Sequence, residues 1–218
     1  IFIHWRARKM AWKNLSELDS PYIGCGALTR EQFLFHEMRA TAKLYAQGLS
    51  KEEIVNRIVD ENIFQFPTEK SIRNIANACI RRLNTLDDEY LVKAIADEPS
   101  DIAKQVCLYA MMKHYRLISD FMLTVIGEKY RLKDTSFSKA DINIFFLRLQ
   151  EQDDYIAALS DSTINKIRQV INKMLVDTEY IDDLKSDRLN PVLISSILED
   201  AIRDKGDTAV LIAFNCFG

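Results

Sequence analysis

The chain has 218 residues, which is enough for one or two compact domains with a buried core. Its 6 glycines and 4 prolines fall well below their ordinary combined share of about 12%, which disfavours a fold of many short strands and tight turns. The net charge is −3, so binding to nucleic acid or an anionic membrane would have to come from local patches. We therefore expect a mainly α protein.

Residues 1–21 form a predicted basic N-terminal extension. The first 16 residues contain four bases and no acid: Arg6, Arg8, Lys9 and Lys13. They lack the apolar core of a secretory signal, and no apolar run in the chain approaches the roughly 18 residues of a membrane span. The sequence thus predicts a cytoplasmic protein that does not use a membrane.

The next segment, residues 22–135, has the pattern of a helical bundle. Two capping boxes are predicted, at Thr29 and at Ser50, and the first opens a helix that runs to Gly48. Further apolar stripes at helical spacing predict helices over 69–83, 87–96 and 100–130. The last is unusually long, and Gly127 is the candidate position for a break.

A polar stretch at 133–138 marks a predicted domain boundary, and Ser138 is the expected N-cap of the following helix. Helices are predicted over 139–151, 153–159 and 162–176, then from Asn190-Pro191 to Lys205. The β-branched, apolar run 208–214 predicts a strand. Residues 136–218 therefore predict a winged helix-turn-helix-like unit with one short strand or hairpin.

The helix predicted from Ser162 has a polar face opposite its apolar stripe. Side chains of Arg, Asn and Gln match the edges of guanine and adenine in the major groove, whereas Lys neutralises phosphate. The alternative is an ordinary solvated helix surface. The candidate nucleic-acid-binding residues of this helix are Asn165, Lys166, Arg168, Gln169, Asn172 and Lys173.

Two further basic groups are weaker candidates, because charged helix faces are commonly just solvated. One is on the helix near 69–83, comprising Lys70, Arg73, Asn77, Arg81 and Arg82, and the other is Lys113 and Arg116 in the long helix. The stretch 177–207 has nine acids and four bases. We expect this acidic stretch to avoid phosphate or to contact a protein partner.

Catalytic and metal signatures are not found in the sequence. The four cysteines, Cys25, Cys79, Cys107 and Cys216, form no CxxC pair and have no His at ligand spacing. His114 does not share a helix face with Ser119 and Asp120, so we do not expect it to be catalytic. We therefore expect free thiols, no cofactor, no metal and no enzymatic activity.

The order and spacing of several short motifs over residues 22 to about 200 resemble a known family. The motifs are Glu37, Glu61-Asn62, Arg82-Leu83, Lys113-His114-Tyr115-Arg116 with Asp120-Phe121, the run Ser162–Val170, and Tyr180-Ile181. The chain resembles the BrxA family, small accessory proteins of BREX phage-defence systems. The resemblance implies a NusB-like helical core that binds DNA or RNA without catalysis, beside a methyltransferase, an ATPase and other defence proteins.

Two functions remain open at this point. The first is a nucleic-acid-binding accessory protein, with double-stranded DNA as the expected ligand and RNA as the alternative. The second is a protein-interaction scaffold that docks onto other defence components and has no direct nucleic-acid contact. The basic helix faces favour the first function, and the acidic stretch favours the second.

Overall fold

A computed structural model of the protein describes residues 19–217. The predicted basic extension, residues 1–21, lies almost entirely outside this range. The described range contains eleven α-helices, two 3₁₀ helices (Cys25–Thr29 and Thr208–Phe214) and one π-helical segment (Met122–Gly127), connected by turns and loops. The α-helices are α1 Phe35–Tyr45, α2 Lys51–Asp60, α3 Glu69–Leu86, α4 Glu89–Asp97, α5 Ser100–His114, α6 Arg116–Phe121, α7 Glu128–Arg131, α8 Lys139–Gln152, α9 Asp154–Ala158, α10 Asp161–Asp177 and α11 Ser196–Asp204.

The first half of the chain packs as a bundle in which α1 lies against α3 and α4, and α3 lies against α2 and α5. The capping box predicted at Ser50 is confirmed, because Ser50 and Glu53 satisfy each other's backbone N–H groups. The box predicted at Thr29 is wrong. Its hydroxyl donates to the carbonyl of Gly26, and α1 begins only at Phe35.

The expected long helix over 100–130 is divided rather than continuous. Tyr115 has extended backbone angles and separates α5 from α6. Its hydroxyl donates to Glu31 Oε2 at 2.5 Å, so a contact with a distant loop accompanies the interruption. A second irregularity is the π-helical segment that ends at Gly127, where the close approach of Ile212 leaves little space for a side chain.

The second half begins as predicted, with a capping box between Ser138 and Asp141 at the start of α8. The last helix, however, begins at Ser196 and not at Asn190-Pro191. The Asn190 side chain instead donates to the Glu179 carbonyl and to Asp182 Oδ1. A turn-forming role for Asn190 therefore replaces the predicted helix cap.

The strand predicted over 208–214 is wrong, because this segment is a 3₁₀ helix. Its apolar side chains are buried against the π-helical segment and α11. A strand needs a neighbouring strand for its backbone hydrogen bonds. Among residues 19–217 the only such pairing is an isolated bridge between Ser136 and Arg188, so no hairpin wing is present there.

One large hydrophobic cluster runs from Cys25 to Phe214 and takes residues from both sides of the predicted boundary at 135/136. A smaller cluster lies between α2 and α3. Helix α10 also packs against the 3₁₀ helix Cys25–Thr29 near the start of the described chain. The two halves thus share one core, and their division into separate folding units stays a prediction.

Candidate nucleic-acid interface

Helix α10 buries one face and exposes the other, as its sequence predicts. Ser160 caps it by accepting from the Thr163 backbone N–H, and Ile164, Ile167 and Ile171 enter the core. The exposed face comprises Asn165, Lys166, Gln169 and Lys173. These four side chains form an uninterrupted polar ridge, which we call the α10 ridge.

The two remaining candidates of α10 lie differently. Asn172 is only 8% exposed, and its amide lies 3.5 Å from the Leu184 carbonyl, so its predicted place on the exposed face is wrong. Arg168 is half-buried, with its Cζ 5.3 Å from the centre of the Phe146 ring. One of its terminal nitrogens donates to Asn165 Oδ1 at 3.2 Å. The position of the Arg168 guanidinium is therefore set by stacking.

Helix α3 presents the second predicted basic face, which we call the α3 face. Lys70, Arg73 and Arg81 are exposed, and Asn77 is half-buried and donates to the Arg73 carbonyl. Arg73 also donates to Asn56 Oδ1 at 3.2 Å, while Arg81 pairs with Glu31 at 2.7 Å. Partial pairing with the protein's own groups leaves Lys70 and Arg73 as the more accessible cations of this face.

Arg82 does not belong to the α3 face, so its predicted surface position is wrong. It is 1% exposed and donates to the backbone carbonyls of Glu31, Gln32 and Phe33. The sequence contained a signal for this burial, because Ile75, Cys79 and Arg82 follow the i, i+4, i+7 spacing of the apolar stripe. Arg82 thus holds the ribbon before α1 in place.

The third predicted group, Lys113 and Arg116, lies at the junction of α5 and α6. Lys113 Nζ is 3.4 Å from Asp207 Oδ2, and Arg116 Nε is 2.7 Å from Asp120 Oδ1. Each cation is therefore already paired with a carboxylate. The structure does not bring either of them to the other two basic faces.

One residue of the α10 ridge, Lys173, and two of the α3 face, Asn77 and Arg81, line the same cleft, which has a volume of about 1360 Å³. Ser71, Asn74, Asn77 and Arg81 line it from α3, and Lys173, Val176 and Asp177 line it from the end of α10. Its floor is formed by residues 30–37, which comprise the segment before α1 that Arg82 holds and the start of α1. The fold thus joins two faces that are about ninety residues apart in the sequence.

Charges inside the cleft are nearly balanced. Arg81 pairs with Glu31, and Lys104 pairs with Glu179 at 2.8 Å. Burial raises the pKa of Asp177 despite the opposing influence of Lys173 and Lys104. The exposed cations Lys70, Arg73 and Lys166 lie outside the lining of the cleft.

Sequence reasoning missed three bases of the cleft: Arg30, His36 and Lys104. They come from three separate elements, and none stands in a basic run. Arg30 was assigned to a helix start that does not form. Only the packing of the ribbon 30–37 and of α5 beside α3 shows that these bases face one cleft.

The described part of the chain contains neither a metal-binding cluster nor a membrane-spanning helix. No group of three or more His, Cys, Asp or Glu side chains there has an arrangement that could hold a metal ion. None of the helices of residues 19–217 combines the length and apolar character needed to cross a membrane. The four cysteines are free, and Cys25, Cys79 and Cys107 are buried.

The fold and the cleft define a mainly helical protein in which residues of two polar helix faces line one cleft. Comparison with known proteins identifies the group: the family model BrxA matches residues 25–206, and the chain belongs to the BrxA family. The BREX protein BrxA of Bacillus cereus (strain H3081.97) is 35% identical over 176 residues, covering 80% of this chain and 87% of that protein.

A more distant relative agrees with this assignment. The BREX protein BrxA of Escherichia coli O9:H4 (strain HS) is 24% identical over 189 residues, covering 87% of this chain and 88% of that protein. A crystal structure of an uncharacterized protein from Magnetospirillum magneticum has a TM-score of 0.75 at 23% identity, covering 87% of this chain and 96% of that one. The similarity to this crystal structure shows that the two proteins share a fold.

Proposed function

We propose that the protein is a non-enzymatic nucleic-acid-binding accessory protein of a BREX phage-defence system, with double-stranded DNA as its main ligand. Family membership supports the defence role. The observation that carries the binding proposal is the single cleft lined by Lys173 of the α10 ridge and by Asn77 and Arg81 of the α3 face. The protein's four cysteines are free and three of them are buried, which fits a cytoplasmic location.

In this proposal the α10 ridge contributes both recognition and charge. Asn165 and Gln169 are the residues for base edges, and Lys166 and Lys173 neutralise phosphates. Lys70 and Arg73, the more accessible cations of the α3 face, contact the nucleic-acid backbone. Asn172 and Arg82 take no part, because both are buried.

The salt dependence of duplex binding tests the proposal. Neutralising each phosphate contributes about −0.9 to the slope of log K against log salt. We expect the double variant Lys166→Ala, Lys173→Ala to bind all duplex sequences more weakly and to make the slope shallower by about 2. The variant Lys70→Ala, Arg73→Ala should have a comparable effect, because it removes two exposed cations of the α3 face.

The matched control is Lys43→Ala, Lys93→Ala, which removes two exposed lysines that do not line the cleft. It should retain the wild-type slope. A wild-type protein without salt-dependent duplex binding would contradict the proposal. Tighter binding of an RNA of the same length would identify RNA rather than DNA as the ligand. An equal loss of duplex affinity in the control would show that the effect of the lysine variants comes only from the change in net charge.

A further inference from the structure

The loop 190–195, directly before α11, carries the most exposed large apolar side chain among the described residues. Leu193 is 87% exposed. A lone exposed leucine on a surface is common. What distinguishes Leu193 is that the backbone on both sides of it is held by side chains from other elements.

Several contacts fix this loop. The side chain of Gln105, on α5, donates to the Leu193 carbonyl at 2.9 Å and accepts from the Ser195 backbone N–H at 2.8 Å. The Tyr130 hydroxyl donates to the Asn190 carbonyl at 2.6 Å, and Asn215 donates to the Val192 carbonyl at 3.4 Å. The backbone at Leu193 is therefore preorganised. Burial of the Leu193 side chain by a partner would consequently cost little backbone entropy.

A groove of about 480 Å³ lies beside Leu193. Its apolar walls come from Val176, Ile181 and Val192, and its charged groups are Asp101, Lys104, Glu179 and Asp182. Lys104 is paired with Glu179, so the acidic charge of Asp101 and Asp182 is left in excess. The groove belongs to the acidic part of the sequence, 177–207, where acids outnumber bases nine to four.

We propose that Leu193 and this groove form a docking surface for another protein of the same BREX system. The partner presents an apolar socket to Leu193 and a Lys or Arg side chain to Asp101 and Asp182. Charge complementarity selects this occupant, because the acidic groove repels phosphate and attracts a basic protein surface. The proposal rests on family membership and on this loop, and is independent of nucleic-acid binding.

The test uses the full-length chain and each other protein of its BREX system, purified singly. One of these proteins is expected to bind in a salt-dependent manner, and Leu193→Asp should weaken that binding at least 10-fold. Leu132→Asp is the matched control, because Leu132 is 66% exposed and is not among the residues that line the groove. It should change the affinity less than 2-fold.

Two further variants test the parts of the surface. Asp101→Lys should weaken binding and make its salt dependence shallower, because one attractive charge is reversed. Gln105→Ala retains Leu193 but releases its backbone, so an intermediate loss is expected. Thermal melting and duplex binding of Leu193→Asp should remain at wild-type values, which would separate this surface from the α10 ridge.

The outcomes decide the proposal in either direction. Binding of no purified BREX protein to the wild-type chain would overturn it. Equal effects of Leu193→Asp and Leu132→Asp would also overturn it, because they would show that any added charge disturbs binding. Loss of duplex binding in the α10 variants with retained partner binding would leave this proposal intact.

Discussion

The guanidinium of Arg82 lies over the ring of Tyr115, with its Cζ 5.3 Å from the ring centre. Arg82 also donates to the ribbon before α1, and Tyr115 donates to Glu31 of that same ribbon. The pair therefore links the floor of the cleft to the interruption between α5 and α6. An arginine predicted to contact nucleic acid instead determines the shape of the cleft.

Replacing Arg82 by Met should strongly destabilise the protein. The substitution retains an aliphatic side chain but leaves the carbonyls of Glu31, Gln32 and Phe33 without their donor. An unsatisfied buried polar group costs about 1–3 kcal/mol. The bond to Phe33 is buried and the bonds to Glu31 and Gln32 are partly buried, so a loss of about 3 kcal/mol is expected in urea denaturation. Arg81→Met is the neighbouring control, because it breaks only a partly exposed ion pair worth about 0–1 kcal/mol. Equal losses in the two variants would contradict the structural role of Arg82.

Some of this architecture could be predicted from sequence because its determinants are local. Ser50 and Ser138 cap helices through residues three positions away, and both boxes form. The segment 208–214 was predicted incorrectly because its conformation depends on packing against the distant π-helical segment. Local propensity favours a strand there, but no neighbouring strand is available within the described chain.

The candidate site shows the same division between local and distant information. Periodicity identified the α10 ridge, because the apolar face of one helix defines the opposite face. It did not show that Lys173 and Asn74 border one cleft. That relationship depends on how helices far apart in the sequence pack, which no single-helix pattern contains.

Gly127→Ala should destabilise the contact between the π-helical segment and the C-terminal 3₁₀ helix. An added Cβ would lie 2.8 Å from Ile212 Cγ1 and 3.3 Å from its carbonyl carbon. We expect a loss of about 1–3 kcal/mol from overpacking, measured by urea denaturation. Gly26→Ala is the control, since nothing lies within 4 Å of its Cβ position. The additional substitution Ile212→Ala should remove part of the Gly127→Ala penalty, and strict additivity of the two losses would contradict the clash.

Native thiol reactivity should be confined to Cys216. Burial raises the pKa of Cys25 and of Cys79 to about 12 and that of Cys107 also upward, so little thiolate forms near neutral pH. Cys216 is half-buried near the chain end. Titration with a disulfide reagent should find one accessible thiol in the native protein and four after unfolding, and Cys216→Ser should remove the native one. Only two thiols after unfolding would indicate a disulfide.

Stability should fall when the pH is lowered through the region of the ordinary His pKa. Burial, together with Arg82 and Arg81, lowers the pKa of His114 below its ordinary value of about 6.5. Below that pH the unfolded chain therefore binds a proton more readily than the folded protein, which favours unfolding. His114→Gln should reduce the stability lost between about pH 7.5 and pH 5.5 in urea denaturation, with the exposed His36→Gln as a comparison. A His114→Gln protein with the wild-type pH dependence would contradict this role.

Arg168 should affect sequence preference more than overall affinity. Stacking on Phe146 and the bond to Asn165 fix its guanidinium beside the α10 ridge, and a fixed fork is suited to guanine. Arg168→Ala should cost about 1–3 kcal/mol on a preferred duplex and less on others, measured by competition binding.

The variant Arg168→Lys separates base reading from charge. Lysine keeps the positive charge but loses both the planar fork and the stacking on Phe146. If Arg168 reads a base, Arg168→Lys should lose sequence preference as Arg168→Ala does while retaining more of the affinity for every duplex. An equal loss on every duplex in Arg168→Ala, with sequence preference unchanged, would reduce Arg168 to a phosphate contact. Thermal melting of both variants checks that loss of the Phe146 contact has not unfolded α10, since such unfolding would weaken all duplexes equally.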